Sequence, residues 1–442
     1  SAQIFKRDFI ISCIKNSFNT FGFSPIETPS FENTETLLGK YGDEGDRLIF
    51  KILKSGNFKK NIDDSTLLSD NLSLISSNIS DKALRYDLTI PFARYVVQNQ
   101  NEINLPFKRY QIQLVWRADR PQNGRFREFL QCDADVIGSK SLLQEVDFIH
   151  LFSDVFKNLK IPNCKIRINH RKILIGLSQV LKLEEKLIEL TVILDKTDKI
   201  GKDKVVIEVI KLGLDPSLQD VLVNYLSIDG DFINSISSLN NLFNTSTIGL
   251  EGVQDLNSIY KLIHLNNLGN TKLVLDTSLA RGLSYYTGTI FEVNASEEVN
   301  IGSIAAGGRY DDLTSVFGLN DVSGIGVSFG LDRIYIAMET LNLFPKIDKT
   351  KVTVLFANTN KNHLNYLLNG VNHLRLHNIN TDFYPDVVSL KKQLKYANNI
   401  AVPYVVIVDD NEVETSSYCL KKMNDGSQIT LSIEEIVKIL KK

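Results

Sequence analysis

An arginine-rich stretch, RADRPQNGRFR, has the composition of a binding site for a phosphate-rich ligand. It holds four arginines within eleven residues: Arg117, Arg120, Arg125 and Arg127. The planar fork of a guanidinium group matches the oxygens of a phosphate, so arginines at this spacing suit a polyphosphate. Between them, Asn123-Gly124 is a strong signal for a hairpin turn. The alternative is a solvated basic loop, and the stretch alone does not separate the two.

Two further segments predict polar side chains that share a strand face. In KALRYDLTIPF, Arg85, Asp87 and Thr89 alternate along what the pattern predicts to be a strand. In FREFLQCDADVIG the residues that alternate in the same way are Phe129, Gln131, Asp133 and Asp135. For the first segment, a surface strand with an incidental salt bridge is the alternative.

A third segment, RGLSYYTGTIFE, combines an arginine, two glycines and two tyrosines from Arg281 to Glu292. This density suggests close backbone approach and hydrogen bonding. The alternative is an aromatic strand, Tyr285 to Val293, preceded by a turn at Gly282. Further on, GIGVSFGLDR places three glycines before a helix that carries Arg333. The spacing of these glycines is not the dinucleotide fingerprint, and it favours close packing or room for a flat ligand.

The sequence lacks the motifs of several well-known classes of enzyme. The six histidines form no HExxH pair, and no metal site follows from a protein motif. There is no G-x-S-x-G elbow and no Walker A loop, which argues against serine hydrolases and P-loop NTPases. What remains is a set of arginines, carboxylates, amides and tyrosines. Such a site works by positioning and charge stabilisation.

The composition bounds the class of protein. The chain has 442 residues, 43% hydrophobic and 23% charged, with a net charge of -2, so we expect a globular protein of two or three domains. No apolar run is long enough to span a membrane, and the start carries no secretory signal pattern. The four cysteines are scattered and form no CxxC pair, which favours a reducing cytoplasm.

Periodicity predicts the elements that carry these residues. Residues 4–21 and 142–159 have helical spacing, and 165–169 is a short strand. Residues 171–265 are mostly helical and predict a separate insertion. After a Pro/Lys linker, strand and helix patterns alternate, which predicts a small α/β domain with a largely parallel sheet.

The motifs LRYDLTIPFARY, WRADRPQNGRFREFLQCDADVIG, LARGLSYYTGTIFE, AAGGRYDDL and GIGVSFGLDR, in this order, resemble those of histidyl-tRNA synthetases. These are class II aminoacyl-tRNA synthetases. The resemblance implies an α+β fold in which an antiparallel sheet is flanked by helices. It also implies four segments: catalytic parts at 1–170 and 266–344, a helical insertion at 171–265, and an α/β anticodon-binding domain at 351–442.

The resemblance further implies that ATP and L-histidine form histidyl-adenylate, which is then transferred to the terminal adenosine of tRNA-His. Arg117 and Arg281 are then the catalytic residues, because both hold the α-phosphate of ATP. Phe129 and Arg333 sandwich the adenine, and Arg125 reaches the outer phosphates together with Mg²⁺. The implied assembly is a homodimer in the cytoplasm, with the ETPSFE segment at its interface.

The same resemblance assigns the amino-acid pocket. Asp87, Thr89 and Gln131 bind the ammonium group, while Asp135 and Tyr286 hydrogen-bond the imidazole. The full histidine-binding set is Asp87, Thr89, Gln131, Asp135, Arg281, Tyr285 and Tyr286. The chain departs from the family at Ser284, where Asp is usual, and at Leu114 and Leu130.

Two non-catalytic readings compete with the ligase. One is the synthetase-like regulatory subunit of ATP phosphoribosyltransferase, and the other is an RNA-binding module. The regulatory subunits generally lack the C-terminal domain and lose the RGLxYYTG motif, whereas here 352–442 is present and one motif position differs. Retention of Arg117, Arg281 and Arg333 argues against the RNA-binding module, because such a module has no need of an α-phosphate clamp.

Overall fold

The computed structural model describes residues 2–39, 46–58, 60, 62–68, 70–229, 231–263, 268–280, 286–311, 313–345 and 351–441. These residues form two compact units that divide between Phe344 and Pro345. Among the described residues, no helix has both the length and the apolar character needed to cross a membrane.

An eight-stranded sheet organises the first unit. Its strands occur in the spatial order β1-β5-β6-β11-β10-β9-β7-β8. The six inner strands are antiparallel, while β1 and β8 pair in parallel at the edges. The strands are β1 Ser24–Pro25, β5 Phe107–Trp116, β6 Glu128–Ile137, β7 Cys164–His170, β8 Thr271–Leu275, β9 Thr289–Asn294, β10 Ala305–Tyr310 and β11 Gly324–Gly330.

A three-stranded antiparallel sheet lies in the same unit. Its order is β2-β4-β3, with β2 Phe31–Asn33, β3 Lys51–Ile52 and β4 Lys82–Leu84. Outside residues 171–263, which form a helical region, the helices of this unit are Ala2–Thr20, Thr34–Leu37, Asp64–Leu67, Leu72–Ile79, Thr89–Gln98, Leu143–Asn158 and Leu331–Thr340, with a 3-10 turn at Ser315–Phe317.

Helices cover one face of the large sheet. Phe329 on β11 is fully buried, and its ring lies 5.8 Å from Phe18, 5.4 Å from Phe152 and 5.8 Å from Phe156. These aromatic contacts join the first helix and Leu143–Asn158 to the sheet. Because side chains alternate along a strand, the residues beside Phe329 face the opposite side.

The region between β7 and β8 is helical. Its helices are Arg171–Val180, Leu187–Leu194, Thr197–Ile200, Lys202–Leu212, Gln219–Ser227, Phe232–Leu242 and Thr247–Ile263, with 3-10 turns at Glu184–Lys186 and Pro216–Leu218. Gly176 and Gly249 let two of these helices touch, since a Cβ on Gly176 would lie 2.5 Å from the Cα of Gly249. The buried Tyr225 hydroxyl donates to the carbonyl of Thr277 at 2.7 Å, which ties the helices to the chain after β8.

The prediction of a strand through Arg85, Asp87 and Thr89 is wrong. β4 ends at Leu84, and a helix begins at Thr89. Asp87 Oδ1 accepts hydrogen bonds from the backbone N–H groups of Thr89 (3.2 Å) and Ile90 (3.3 Å), which stabilises the start of that helix. Arg85 is buried elsewhere and donates to the carbonyl oxygens of Thr28 and Leu114.

The second unit is a five-stranded sheet with helices on both faces. Its order is β13-β12-β14-β15-β16, with β12 Val354–Phe356, β13 Thr381–Phe383, β14 Tyr404–Ile407, β15 Tyr418–Lys422 and β16 Gln428–Leu431. Its helices are Leu364–Leu376, Leu390–Asn399, Asp410–Glu414 and Ile433–Leu440, with a 3-10 turn at Lys361–His363.

The sheet of the second unit is mixed, so the prediction of a largely parallel sheet is wrong. β13, β12 and β14 are parallel, whereas β15 and β16 are antiparallel. β15 and β16 form a hairpin around Gly426, whose φ of 74° favours glycine. The broader expectation, an α+β fold with a largely antiparallel sheet flanked by helices and a C-terminal α/β unit, is confirmed.

Candidate active site

A cavity of about 350 Å³ lies on the face of the large sheet that is opposite the helices. Its volume is in the range of small-molecule sites. The alternation of β6 explains its lining, because Gln131, Asp133 and Asp135 face the cavity while Cys132 and Ala134 belong to the core. The predicted shared face of β6 is therefore confirmed.

Glycines on the central strands keep the cavity open. A Cβ on Gly307 would lie 2.8 Å from the Cα of Val327, and one on Gly326 would lie 2.5 Å from the carboxylate carbon of Asp135. Real Cβ atoms do not approach other atoms so closely. The backbones of β10 and β11 therefore form a floor on which a flat ligand could rest.

Arg117, directly after the end of β5, is one of the cations that line the cavity. Its Nε donates to the carbonyl of Tyr86 at 3.0 Å. The guanidinium carbon lies 4.3 Å from the ring centre of Tyr86 and 5.2 Å from that of Phe129. Nη2 also reaches Oε1 of Gln131 at 3.4 Å. The ring of Tyr86 and the side-chain amide of Gln131 therefore hold Arg117 in place.

The arginine loop closes with the predicted hairpin turn. Gln122 and Arg125 exchange two backbone hydrogen bonds, of 3.1 and 2.9 Å, around Asn123-Gly124. Gly124 has a φ of 71° and lies against the side chain of Arg333. Arg333 donates from Nη1 to the carbonyl of Ser303 at 2.8 Å. Arg125 and Arg333 both line the cavity.

The opposite end of the cavity is acidic, and its centre is Asp135. Arg109 on β5 forms an ion pair with Oδ2 at 2.7 Å, and the Tyr310 hydroxyl donates to Oδ1 at 2.7 Å. All three residues are buried. Burial raises the pKa of the Asp135 carboxyl, while Arg109 and the hydroxyl of Tyr310 oppose that rise. The arrangement fixes a hydrogen-bond acceptor at the end of the cavity.

Asp133 is the next acidic group along the same face. Its Oδ2 accepts a hydrogen bond of 2.9 Å from the Gln131 amide. Burial, followed by the negative charge of Asp135, raises the pKa of Asp133 to about 7, although Arg109 opposes the rise. Asp133 therefore changes its charge near neutral pH.

The structure places nine of the predicted site residues around this one cavity. They are Asp87, Thr89, Arg117, Arg125, Phe129, Gln131, Asp135, Tyr286 and Arg333. The two remaining residues, Arg281 and Tyr285, lie outside the described residues, as does Ser284.

Sequence reasoning did not assign a role to Arg109, Asp133 or Tyr310. The sequence could have indicated Asp133, because its two-residue spacing from Gln131 and Asp135 places all three on one strand face. Tyr310 lies in the GGRYD motif, and its partner on β6 depends on pairing between distant strands. Arg109 faces Asp135 only through the register of β5 and β6.

Comparisons with known proteins extend over nearly the whole chain. A family model described as histidyl-tRNA synthetase matches residues 77–334, and one described as an anticodon binding domain matches residues 351–442. A histidine–tRNA ligase from Christiangramia forsetii is 50% identical over 99% of this chain and 96% of its own length. One from Cytophaga hutchinsonii is 45% identical over 99% and 96%.

Solved structures agree with the sequence comparisons. The crystal structure of histidyl-tRNA synthetase from Nostoc sp. PCC 7120 superposes with a TM-score of 0.81 at 27% identity, covering 98% of this chain and 95% of that one. A structure titled as an ATP phosphoribosyltransferase regulatory subunit/histidyl-tRNA synthetase, from Bacillus halodurans C, has a TM-score of 0.72 at 19% identity and shares the fold. On the motifs, the fold and these matches, the chain belongs to the histidyl-tRNA synthetase family.

Proposed function

We propose that this chain is a histidine–tRNA ligase that activates L-histidine with ATP and transfers it to the terminal adenosine of tRNA-His. The observation that carries the proposal is the distribution of charge along this cavity. Arginines line the cavity at the arginine loop, whereas the buried carboxylates lie farther along β6, beyond the Gln131 that contacts Arg117. One end suits polyphosphate, and the other suits an ammonium group and an imidazole N–H.

In the first step, a carboxylate oxygen of histidine attacks the α-phosphorus, and pyrophosphate leaves with the electrons of the broken P–O bond. Negative charge grows on the α-phosphoryl oxygens as this happens. Arg117 is already oriented by Tyr86 and by the Phe129 ring, so it can stabilise that charge without reorganising. Arg281 is the second catalytic arginine of the proposal.

For ATP, Phe129 and Arg333 hold the adenine, and Arg125 at the exposed rim binds the outer phosphates. Mg²⁺ would neutralise phosphate charge when bound. The described residues contain no group of three metal-ligating side chains, which fits an ion held mainly by substrate phosphates. Asp119, which lies on the arginine loop and lines the cavity, offers a carboxylate of the kind such an ion accepts.

In the amino-acid pocket, Asp87, Thr89 and Gln131 bind the ammonium group, and Asp135 with Tyr286 binds the imidazole. Tyr285 and Arg281 complete the pocket. Specificity follows from the buried polar groups, because a side chain that cannot hydrogen-bond would leave Asp135 without a ligand partner. In the second step, a hydroxyl of the terminal adenosine attacks the carbonyl carbon of the adenylate, and AMP leaves.

The tRNA is proposed to contact the second unit, 351–442, through its anticodon. The helix Leu390–Asn399 exposes Lys391, Lys392 and Lys395 on its surface. Beside them, Tyr396 is 41% exposed and meets Tyr384 edge to face at 5.3 Å. Lysines neutralise phosphates, and aromatic rings stack on unpaired bases. Within 1–344, we propose that 171–265 is an insertion that divides catalytic parts 1–170 and 266–344.

We further propose that the enzyme is a cytoplasmic homodimer. The four cysteines are free thiols, which suits a reducing compartment. Phe31, in the ETPSFE segment proposed for the interface, has 52% of its surface exposed. Sedimentation equilibrium tests the assembly, with an expected mass of twice the 49.8 kDa of one chain. A single-chain mass at micromolar concentration would contradict the dimer.

Pyrophosphate exchange separates the ligase from a non-catalytic paralogue. The purified full chain should incorporate labelled pyrophosphate into ATP only when ATP and L-histidine are both present. A regulatory subunit or a pure RNA-binding module has no such activity. Exchange that does not depend on histidine would reject histidine as the substrate.

A further inference from the structure

The Asp133 side chain has a polar atom that the described part of the fold leaves unsatisfied. The residue is 2% exposed and lines the cavity. Oδ2 accepts the amide of Gln131, whereas Oδ1 is buried and accepts no hydrogen bond of normal geometry from the described residues. A buried acceptor without a donor costs free energy, so its persistence in a cavity indicates a ligand that supplies the donor.

The charges around Asp133 indicate what kind of donor this is. Asp135 on the same strand and Asp87 before the helix Thr89–Gln98 are both acidic neighbours. From β5, Arg109 forms its ion pair with Asp135 and not with Asp133. From β11, Ser328 lies opposite Asp133, and a polar contact from its side chain lowers the pKa of the Asp133 carboxyl. The described residues give Asp133 no ion pair of its own. A full positive charge is therefore a better complement than a neutral N–H group.

We propose that Asp133 is a further substrate-binding residue, whose Oδ1 accepts a hydrogen bond from the ammonium group of the amino acid. The inference rests on the proposed function, and it adds a residue to that same site. Through Oδ2, Asp133 also orients the amide of Gln131, the neighbouring ammonium ligand. The carboxyl is protonated in part of the ligand-free protein, and that proton passes to solvent when the ammonium group binds. The released proton offsets part of the positive charge that the ammonium group brings into the cavity.

Calorimetric titration of the full chain with L-histidine tests this proton exchange. At pH 7 the titration is run in phosphate and in Tris, whose ionisation enthalpies differ, so the difference in heat counts the protons released. A carboxyl with a pKa near the working pH should release about half a proton per histidine bound. The imidazole of the ligand titrates as well, and the comparison with Asp133→Asn cancels its contribution.

Asp133→Asn keeps an oxygen for the Gln131 amide but cannot ionise. We expect the proton release assigned to Asp133 to disappear, histidine binding to weaken about 10- to 100-fold, and KM for ATP to stay unchanged. Asp133→Ser is a second neutral variant, and a melting curve verifies that each is folded. Asp147→Asn is the matched control, because Asp147 is a partly exposed partner of Lys108 on the helix Leu143–Asn158, does not line the cavity, and should leave the proton count as in wild type.

The outcomes separate this inference from the proposed function. If wild type binds and activates histidine, while folded Asp133 variants keep its affinity and proton count, the role of Asp133 is wrong and the ligase stands. If wild type neither binds histidine nor catalyses exchange, the proposed function fails and takes this inference with it. Loss of ATP binding in Asp133→Asn would also overturn the assignment to the ammonium group.

Discussion

Arg109 and Asp135 face each other on neighbouring strands and form an ion pair of 2.7 Å inside the sheet. Arg109 is 0% exposed and Asp135 is 2% exposed, and the arginine also lies 4.1 Å from the ring centre of Phe92. Asp135 is the carboxylate proposed to accept the imidazole N–H. Arg109 binds its Oδ2, and the Tyr310 hydroxyl donates to its Oδ1. The acidic end of the cavity is built by β5, β6 and β10 together.

Breaking this ion pair should lower the stability of the fold. Arg109→Met leaves Asp135 buried without its counter-charge, and we expect a loss of about 3–5 kcal/mol in the free energy of unfolding. Urea denaturation measures it. The neighbouring Lys108→Met is the matched control, because its pair with Asp147 is partly exposed to solvent and is worth about 1 kcal/mol. Equal losses in the two variants would contradict the account of the buried pair.

A methyl group on Gly326 should block the amino-acid pocket and leave the ATP site intact. In Gly326→Ala the new Cβ would collide with the carboxylate of Asp135, which must then move. We expect KM for histidine in pyrophosphate exchange to rise at least about tenfold, as when a substrate hydrogen bond is lost, with KM for ATP little changed. A parallel rise in both constants would indicate general disruption of the sheet.

The strand face that carries Gln131 and Asp135 was predictable, because its signal is local alternation. The failure at Arg85 to Thr89 was local too. Its alternation fits a strand, but the Asp87 carboxylate accepts two backbone N–H groups and starts a helix instead. Local hydrogen bonds between a side chain and the backbone overrode the pattern there.

The burial of β5 could not be predicted from its own residues. Gln111 is a polar residue between the apolar Tyr110 and Ile112, yet it is fully buried and donates to Thr28 Oγ1 at 2.7 Å. The covering segment lies more than eighty positions away along the chain. The contact between Arg109 and Asp135 depends on the register of β5 and β6, which the spacing within either strand does not reveal.

The titration of Asp133 should make the stability of the ligand-free protein depend on pH. Its folded pKa of about 7 lies above the ordinary value of 3.8, so the folded state binds more protons than the unfolded state between these values. Stability due to this group is therefore complete below pH 4 and is lost as the pH rises through 7. Relative to Asp133→Asn, wild type should lose a few kcal/mol, about 4 at most, between pH 4 and pH 8. Parallel stability curves for the two proteins would show that Asp133 is ionised throughout.

Arg117 should act on the transition state more than on binding. Lysine cannot reproduce the contact with the Tyr86 carbonyl and the ring of Phe129, so Arg117→Lys should lower kcat for exchange by about 100- to 1,000-fold, with KM for histidine little changed. Arg120→Lys is the control, since Arg120 is exposed on the same loop and does not line the cavity. A similar loss in both variants would point to a general disturbance of the loop and not to a specific role of Arg117.

Arg281→Ala tests the second arginine of the phosphate clamp. Arg281 lies outside the described residues, and its role comes from the family motif. We expect exchange to fall by orders of magnitude while the melting temperature stays close to that of wild type. Unchanged exchange in this variant would show that the clamp is misassigned.

The central claim is that this chain joins histidine to tRNA, and aminoacylation tests it most directly. Purified full chain is incubated with ATP, Mg²⁺, labelled L-histidine and transcribed tRNA-His, and label bound to the tRNA is counted. We predict ATP-dependent labelling that unlabelled histidine competes away and that a non-cognate tRNA does not support. Folded protein that leaves tRNA-His unlabelled under these conditions would contradict the account.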